Sequence, residues 1–219
     1  MLQGALFDMD GLMFDTERIG RDGWQDAARR LGLTIPETLI ASMRGTGTNE
    51  ARALFNAAIP GGRYEEARAL RLRYAEETIR REGLPVKPGL TELLDWLRGQ
   101  GIPAVLATST RRELAMDYLR MAGVADYFSA AVFGPEMPRP KPAPDIFLAA
   151  AAAVGADPAA CAVLEDSPNG LKAARAAGCR PIAVPDLTPA PPESDGLWDA
   201  CVPTLRDAVP VLARWHAAP

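Results

Sequence analysis

Residues 4–15 read GALFDMDGLMFD, and this stretch decides the fold. Four apolar residues that predict a buried strand run directly into Asp8-Met9-Asp10-Gly11, and Asp15 follows closely. Carboxylates crowded at one strand end repel one another, so one of them stays neutral unless a cation or a proton intervenes. Mg2+ suits such a place, because it takes few protein carboxylates and completes its coordination with water and phosphate oxygens. The stretch therefore predicts a metal site for phosphate chemistry, with an ordinary turn as the alternative interpretation.

Length and composition indicate an ordinary globular protein. The 219 residues, 48% of them hydrophobic and with a formal net charge of -4, suffice for one domain or for one domain with a small insert. No run approaches about 18 apolar residues, and the N-terminal MLQGALFDMD lacks the features of a secretory signal. We therefore expect a cytoplasmic protein that binds no membrane, and a monomer, although an oligomer stays open. Scattered arginines without a basic stripe predict no nucleic-acid partner.

Histidine and cysteine chemistry is largely excluded by the sequence. His216 is the single histidine and stands three residues from the end of the chain, where it is expected to lie on a frayed surface. A Ser-His-Asp or Cys-His mechanism, or a zinc site rich in histidine, would need this residue to fold back into a cleft. Cys161, Cys179 and Cys201 are too widely spaced for a CxxC pair, and their odd number argues against a disulfide framework, so we expect buried thiols. Acidic residues are left to perform the chemistry.

The hydrophobic pattern changes along the chain. Residues 16–84 show helical spacing without strands, whereas short apolar runs alternate with helices from Pro88 onward. The predicted strands after the first are 102–107, 130–133, 162–164 and 181–184. This alternation is typical of a doubly wound, Rossmann-like α/β core with a parallel sheet of about five strands and a ligand crevice at their carboxyl ends. We expect residues 1–15 and 85–219 to form that core, and 16–84 to form a small all-helical cap domain inserted after the first strand.

Polar residues also follow the second predicted strand, as Thr108-Ser109-Thr110. Glu113 stands three residues beyond Thr110, and this spacing is the capping-box pattern of a helix start. Capping accounts for Thr110 but not for Thr108, whose hydroxyl and nearby amide at the strand end could bind an anion. We therefore expect Thr108, with its neighbour Ser109, to bind phosphate.

Two further polar groups lie in later loops. Lys141 is one of three lysines in the chain and stands within PRPKPAP, whose prolines restrict its backbone. A fixed lysine near the acids would neutralise phosphate and carboxylate charge, and a solvated loop lysine is the alternative. Glu165 and Asp166 follow another apolar run, and burial of these acids without a cation would raise their pKa values. They predict a second contribution to the metal site, with Ser167 as the cap of a helix that begins at Pro168.

Together, these four groups resemble the haloacid dehalogenase (HAD) superfamily in its beta-phosphoglucomutase-like branch. The segments FDMDGLMFDTE, RPKPAPDIF and LEDSPNGLKAARAAG are especially similar to that branch, and the resemblance spans the whole chain. The four motifs in this order and spacing form a much stronger signal than any one of them. The resemblance implies a HAD-type phosphoric monoester hydrolase.

The resemblance also implies a mechanism. Asp8 would attack phosphorus and form a phospho-aspartyl intermediate. Asp10 would be the general acid for the leaving alkoxide and the general base for the hydrolytic water. Mg2+ would be held by the Asp8 side chain, the Asp10 backbone carbonyl and Asp166, with Glu165 as a further direct or water-mediated ligand.

Substrate binding is implied for residues outside the acid groups. Thr108 and Lys141 would bind the phosphoryl oxygens, and Lys141 would also orient Asp8. Arg44, in the RGTG segment between two predicted helices, is the candidate substrate-binding residue of the cap. A solvated helix cap is the alternative interpretation of this arginine.

Departures from the family pattern narrow the choice of activity. Mutases of this branch carry a histidine where this chain has Gly20, and phosphonate-cleaving relatives use a cap lysine, whereas residues 16–84 contain no lysine. Haloacid dehalogenases lack the second aspartate, which is present here as Asp10. These departures favour phosphoryl transfer to water.

The sequence thus predicts a Mg2+-dependent phosphatase for a small phosphomonoester, such as a sugar or polyol phosphate. Three alternatives stay open. They are a sugar-phosphate mutase of the same fold, a phospho-accepting signalling domain without turnover, and a catalytically idle binding protein. The length of the chain, the helical insert and the separate Glu165-Asp166 pair argue against the signalling domain, and the presence of every expected acid argues against an idle protein.

Overall fold

The computed structural model describes residues 1–217, and the chain divides into two compact units. The first unit comprises Met1–Phe14 and Val86–Pro219, and the second comprises Asp15–Pro85. The strands are β1 (Gly4–Phe7), β2 (Ala104–Thr108), β3 (Phe128–Phe133), β4 (Cys161–Glu165), β5 (Arg180–Ala183) and β6 (Ala200–Cys201). The α-helices are α1 (Thr16–Leu31), α2 (Glu37–Met43), α3 (Thr48–Ala58), α4 (Tyr64–Glu82), α5 (Leu90–Gln100), α6 (Arg112–Met121), α7 (Asp145–Ala152), α8 (Pro168–Ala176) and α9 (Leu205–Ala217). Over residues 1–217, every helix is too short or too polar to cross a bilayer.

The first unit contains a parallel sheet with the strand order β3-β2-β1-β4-β5-β6. Strand β1 lies at its centre, where Leu6 is in register with Val105 of β2 and Val163 of β4. The predicted α/β fold class is confirmed, although the sheet has six strands instead of about five. The additional strand, β6, has only two residues, and it forms by pairing with the end of β5.

Both faces of this sheet are covered by helices. Leu6 and Val105 point to one face, where they pack with Phe147 of α7 in a buried cluster that also includes residues of α8. Successive side chains of a strand point to opposite faces, so Phe7 and Leu106 point the other way, and both are fully buried as well. Burial on both faces is why the strands appear in the sequence as continuous apolar runs.

The second unit is built from helices α1 to α4. Trp24, Phe55 and Tyr64 form its aromatic core, with ring centroids 5.4 to 6.0 Å apart. Helix α1 packs against α4 through Gly23, where an added Cβ would lie 3.0 Å from the backbone oxygen of Arg71. The Arg71 guanidinium carbon lies 5.7 Å from the centroid of the Trp24 ring. Glycine on α1 therefore sets how closely these two helices approach.

The three cysteines differ in exposure. Cys161 and Cys179 are buried, as expected, but Cys201 is exposed, so the expectation of a buried thiol is wrong for this residue. Its position in the short edge strand β6 explains the difference, since one side of that strand has no neighbouring strand. Burial raises the pKa of Cys161 to about 11 and that of Cys179 to about 12.

We expect iodoacetamide at about pH 8 to label Cys201 first in the folded protein, because the thiolate is the reactive form and the two buried thiols stay protonated. Mass spectrometry of the intact protein would show one adduct under native conditions and three in denaturant. A Cys201→Ser variant is the control, and it should acquire no adduct while folded. Labelling of all three thiols at similar rates in the native protein would contradict the described burial.

Candidate active site

The end of β1 is shaped by a single tight turn. Met13 and Phe14 both donate their backbone N–H to the carbonyl of Met9, at 2.8 and 3.2 Å. Gly11 donates its N–H to the carbonyl of Phe14 at 2.9 Å, and its φ of 81° is one that residues with a side chain rarely adopt. The turn holds both carboxylates of the DxDG motif at the carboxyl end of the central strand.

Lys141 lies within hydrogen-bond distance of two acids. Its Nζ donates to Asp8 Oδ1 at 2.5 Å, to Glu165 Oε1 at 2.7 Å and to the carbonyl of Ala107 at 3.2 Å. The lysine side chain is 6% exposed, so these contacts replace hydration. The loop between β3 and α7 thus brings the cation to the ends of three adjacent strands, β2, β1 and β4.

The acidic residues predicted to hold a metal also lie together. Asp8, Glu165 and Asp166 each offer a carboxylate oxygen, and these oxygens lie within 4.8 Å of one another. All three residues are buried. Three buried carboxylates beside one ammonium leave an excess of negative charge, and hard oxygen donors of this kind fit Mg2+.

Glu165 already accepts several hydrogen bonds. Beyond its contact with Lys141, its Oε2 accepts the backbone N–H of Ser167 at 2.9 Å and the Ser167 hydroxyl at 3.0 Å. The same hydroxyl accepts the N–H of Gly170 at 3.1 Å. Ser167 is therefore the cap of α8, as predicted, and it also contacts an acid of the site.

The prediction of a capping box at Thr110 is wrong. Helix α6 has Arg111 at its cap position, without a hydrogen bond from a capping side chain. The Thr110 hydroxyl donates instead to Asp10 Oδ2 at 2.6 Å. Thr108 is fully buried and accepts the N–H of Thr110 at 3.1 Å, whereas Ser109 is exposed. Thr110 is thus a site residue that sequence spacing assigned to the helix, because spacing does not reveal a partner in a distant part of the chain.

The electrostatics of the site follow from burial. Burial raises the pKa of Asp8, and although Lys141 opposes this effect, Glu165 adds to it, so the pKa reaches about 7. Burial lowers the pKa of Lys141, but the carboxylates of Asp8 and Glu165 outweigh it and hold that pKa above its ordinary value. Asp8 therefore needs a further positive charge to be fully ionised at neutral pH.

Arg44 belongs to the second unit, whereas the residues grouped above belong to the first. It is the C-cap residue of α2, and its Nε lies 3.6 Å from Glu17 Oε2. Its side chain is 11% exposed, so the interpretation as a solvated helix cap is wrong. Arg44 is thus a mostly buried arginine that lies beside Glu17.

A parallel sheet whose central strands end at carboxylates and a threonine, with a buried lysine brought to them by a loop, is typical of an α/β enzyme that works with acids and an anion-binding cation. The family described as haloacid dehalogenase-like hydrolase matches residues 2–178, and the chain belongs to it. The predicted family is thereby confirmed.

The similar proteins are consistent with this family. Hexitol phosphatase A of Escherichia coli strain K12 is 35% identical over 185 residues, which cover 83% of this chain and 82% of that protein. Protein CbbY of Rhodobacter capsulatus is 32% identical over 197 residues, covering 84% and 86% respectively. The crystal structure of a HAD family hydrolase from Deinococcus radiodurans R1, with bound phosphate and sodium, matches with a TM-score of 0.76 and 25% identity over 98% of this chain and 96% of that one. These matches confirm the prediction of an enzyme, a phosphoric monoester hydrolase.

We expect the protein without divalent cations to lose stability as the pH rises through the range in which Asp8 titrates. The pKa of Asp8 is raised from 3.8 to about 7 by folding, so its protonated form favours the folded state. That contribution is fully present below 3.8 and is lost as the pH passes about 7. Because Mg2+ would compensate the ionised carboxylate, it should raise the Tm more at about pH 8 than at about pH 5.

Differential scanning calorimetry with and without Mg2+ measures this effect. Asp8→Asn is the control, since an amide does not titrate and should flatten the dependence of Tm on pH over the same range. An equal effect of Mg2+ at both pH values would contradict the described electrostatics.

Proposed function

We propose that this protein is a Mg2+-dependent phosphatase that hydrolyses the phosphomonoester of a small sugar or polyol through a phospho-aspartyl intermediate. The observation that supports this most strongly is the contact of 2.5 Å between Lys141 and Asp8, beside the buried carboxylate of Asp166. A carboxylate held by a fixed ammonium, next to a site for a divalent ion, suits nucleophilic attack on an anionic ester.

The first step is the attack of an Asp8 oxygen on phosphorus. A bond forms between that oxygen and phosphorus, and the bond from phosphorus to the ester oxygen breaks. The second step returns Asp8, when water attacks the same phosphorus and the aspartyl bond breaks. Burial of Asp8 excludes the hydration that would lower the nucleophilicity of its carboxylate.

Asp10 is the proton donor and acceptor in this scheme. It protonates the departing alkoxide in the first step and takes a proton from the attacking water in the second. The hydrogen bond of 2.6 Å from Thr110 to its Oδ2 supports the role, because it restricts the orientation of the carboxyl group. An acid that acts twice in one cycle benefits from a fixed position.

The residues that would hold Mg2+ are Asp8, Asp166 and the backbone carbonyl of Asp10. When bound, the ion supplies charge that screens the repulsion between an anionic nucleophile and an anionic ester. Glu165 adds negative charge to the site, while its own oxygens accept three hydrogen bonds.

Phosphate binding falls to Lys141 and Thr108, with Ser109 beside them. Lys141 neutralises charge on the phosphoryl oxygens, as a compact cation does in many phosphate sites. Thr108 lies at the end of β2, next to the central strand, and Ser109 is the exposed residue that follows. These residues bind the group that is common to all substrates of the class.

The second unit supplies selectivity in this proposal and acts as the cap. Arg44 is the candidate contact for the part of the substrate beyond the phosphate, since its side chain is mostly buried and is held beside Glu17.

Hydrolysis is favoured over the mutase reaction because this chain has Gly20 where mutases of this branch carry a histidine. An added Cβ at this position would lie 2.5 Å from Arg71 Nη2. The histidine that mutases of this branch carry here would therefore need Arg71 to move. The substrate class rests on relatives such as hexitol phosphatase A, whose name refers to polyol phosphates.

We expect a panel of phosphorylated sugars and polyols, incubated with the protein and Mg2+, to contain at least one ester from which inorganic phosphate is released. Colorimetric phosphate detection and chromatography of the sugar products would be run together. An isomerised sugar phosphate without free phosphate would overturn the proposal in favour of a mutase. A protein that is phosphorylated once and does not turn over would overturn it in favour of a signalling domain.

Asp8→Asn is the decisive variant in this assay and should lower turnover at least about 1000-fold, because it removes the nucleophile. Asp117→Asn is its matched control, since Asp117 is an exposed acid on α6 that pairs with Arg120. The control should retain full activity.

We expect Arg44→Ala to raise KM for the best substrate of the panel by about tenfold while it changes kcat little, because a contact away from the reacting group contributes mainly to binding. Steady-state kinetics with Arg63→Ala as the control would check this expectation. Arg63 is an exposed arginine of the same unit, paired with Glu66 at 2.5 Å. Equal KM values for both variants would contradict a substrate contact by Arg44.

A further inference from the structure

We propose that Glu165 is a positioning residue that holds Lys141 against Asp8 and is not a ligand of the metal. In this proposal, Ser167 fixes the Glu165 carboxylate by hydrogen bonds, and Gly170 leaves room for it. The inference rests on the proposed function, since it concerns the same site. It assigns a role to two residues at the start of α8 that do not touch the substrate phosphate in the proposed mechanism.

Both carboxylate oxygens of Glu165 already accept hydrogen bonds from the protein. Its Oε1 lies 2.7 Å from the Lys141 ammonium, and its Oε2 accepts both the N–H and the hydroxyl of Ser167. The residue is fully buried, so no water competes for these oxygens. Unlike Asp8, whose Oδ1 is the oxygen that contacts Lys141, Glu165 has both of its oxygens engaged by hydrogen-bond donors of the protein.

Gly170 shows that this position of the carboxylate leaves no spare room. An added Cβ at Gly170 would lie 1.7 Å from Glu165 Oε1 and 1.9 Å from its Cδ. Glu165 is buried on all sides, so it can yield only by giving up its contacts with Lys141 and Ser167. The glycine is therefore needed for the carboxylate and not for the helix, in which alanine is the better residue.

A continuous series of contacts results. The first turn of α8 donates to Ser167 Oγ, Ser167 donates to Glu165, and Glu165 accepts from Lys141, which donates to Asp8. Lys141 is thus held from two sides, by the nucleophile and by a carboxylate that is itself fixed. Loss of the second side would leave the ammonium free to shift away from the phosphoryl group.

The three lysines of the chain make this geometry measurable without substrate or metal. In protein labelled with 15N-lysine, the ammonium protons of Lys141 should exchange slowly with solvent. Those of Lys172 should exchange rapidly, because this lysine is exposed. Lys87, which pairs with Asp186 at 2.7 Å, is the internal reference. We expect Glu165→Gln and Gly170→Ala to speed the exchange of Lys141 at least about fivefold and to leave Lys87 unchanged.

Gly99→Ala is the matched control for Gly170→Ala. Gly99 also lies in a helix, and an added Cβ there would meet no atom within 4 Å. In this control, the exchange rate of the Lys141 ammonium protons, the circular dichroism spectrum and the turnover should equal those of the unaltered protein. Slow exchange of Lys141 in both Glu165→Gln and Gly170→Ala would overturn the proposal.

Binding of Mg2+ separates a positioning residue from a ligand. The affinity for Mg2+ is followed through the rise in Tm that the ion causes. We expect the increase in Kd caused by Glu165→Gln to be smaller than that caused by Asp166→Asn by a factor of at least about ten. Equal weakening by both variants would make Glu165 a ligand and overturn the inference, even if the unaltered protein hydrolyses esters. Conversely, a protein without phosphatase activity would overturn the proposed function alone, because the exchange measurement needs no turnover.

The hydrogen bond from the Ser167 hydroxyl to Glu165 is tested by a pair of substitutions at the start of α8. Ser167→Ala should lower kcat and speed the exchange of Lys141, and Ser167→Thr, which keeps the hydroxyl, should restore both. A threonine also caps helices, so the pair compares variants that both allow α8 to begin at the same residue. Equal kcat and exchange in both variants would show that the hydroxyl has no part in holding Glu165.

Discussion

The buried ion pair between Lys141 and Asp8 is the interaction on which the rest of the site depends. Acids brought to the ends of β1 and β4 by a parallel sheet would repel one another inside the protein. Lys141 joins them, since it donates to Asp8 and Glu165 and reaches the carbonyl of Ala107 on β2. The remaining negative charge suits an enzyme that recruits a divalent cation and an anionic substrate in turn.

The sheet was predictable from the sequence because its strands are buried on both faces. Continuous apolar runs such as residues 102–107 indicate strands without tertiary information. Strand β6 was not predictable, since Ala200 and Cys201 have no pattern of their own and become a strand only beside β5. The exposure of Cys201 follows from the same edge position, which neighbouring strands decide and local sequence does not.

The candidate site was predictable to the extent that its residues follow apolar runs. Parallel strands place their carboxyl ends together, so the groups at Asp8, Lys141 and Glu165 were expected to meet. The partners of individual side chains were not predictable. Thr110 fits a capping box in sequence, yet its hydroxyl is hydrogen-bonded to Asp10, one hundred residues away in the chain.

Within the second unit, Gly20 and Arg71 lie against each other. The guanidinium of Arg71 occupies the space into which a side chain at position 20 would extend. A side chain at position 20 therefore gains room only if the Arg71 side chain turns aside or residue 71 becomes smaller. Substitution of Gly20 would thereby displace a guanidinium that lies 5.7 Å from the Trp24 ring, in the aromatic core of the same unit.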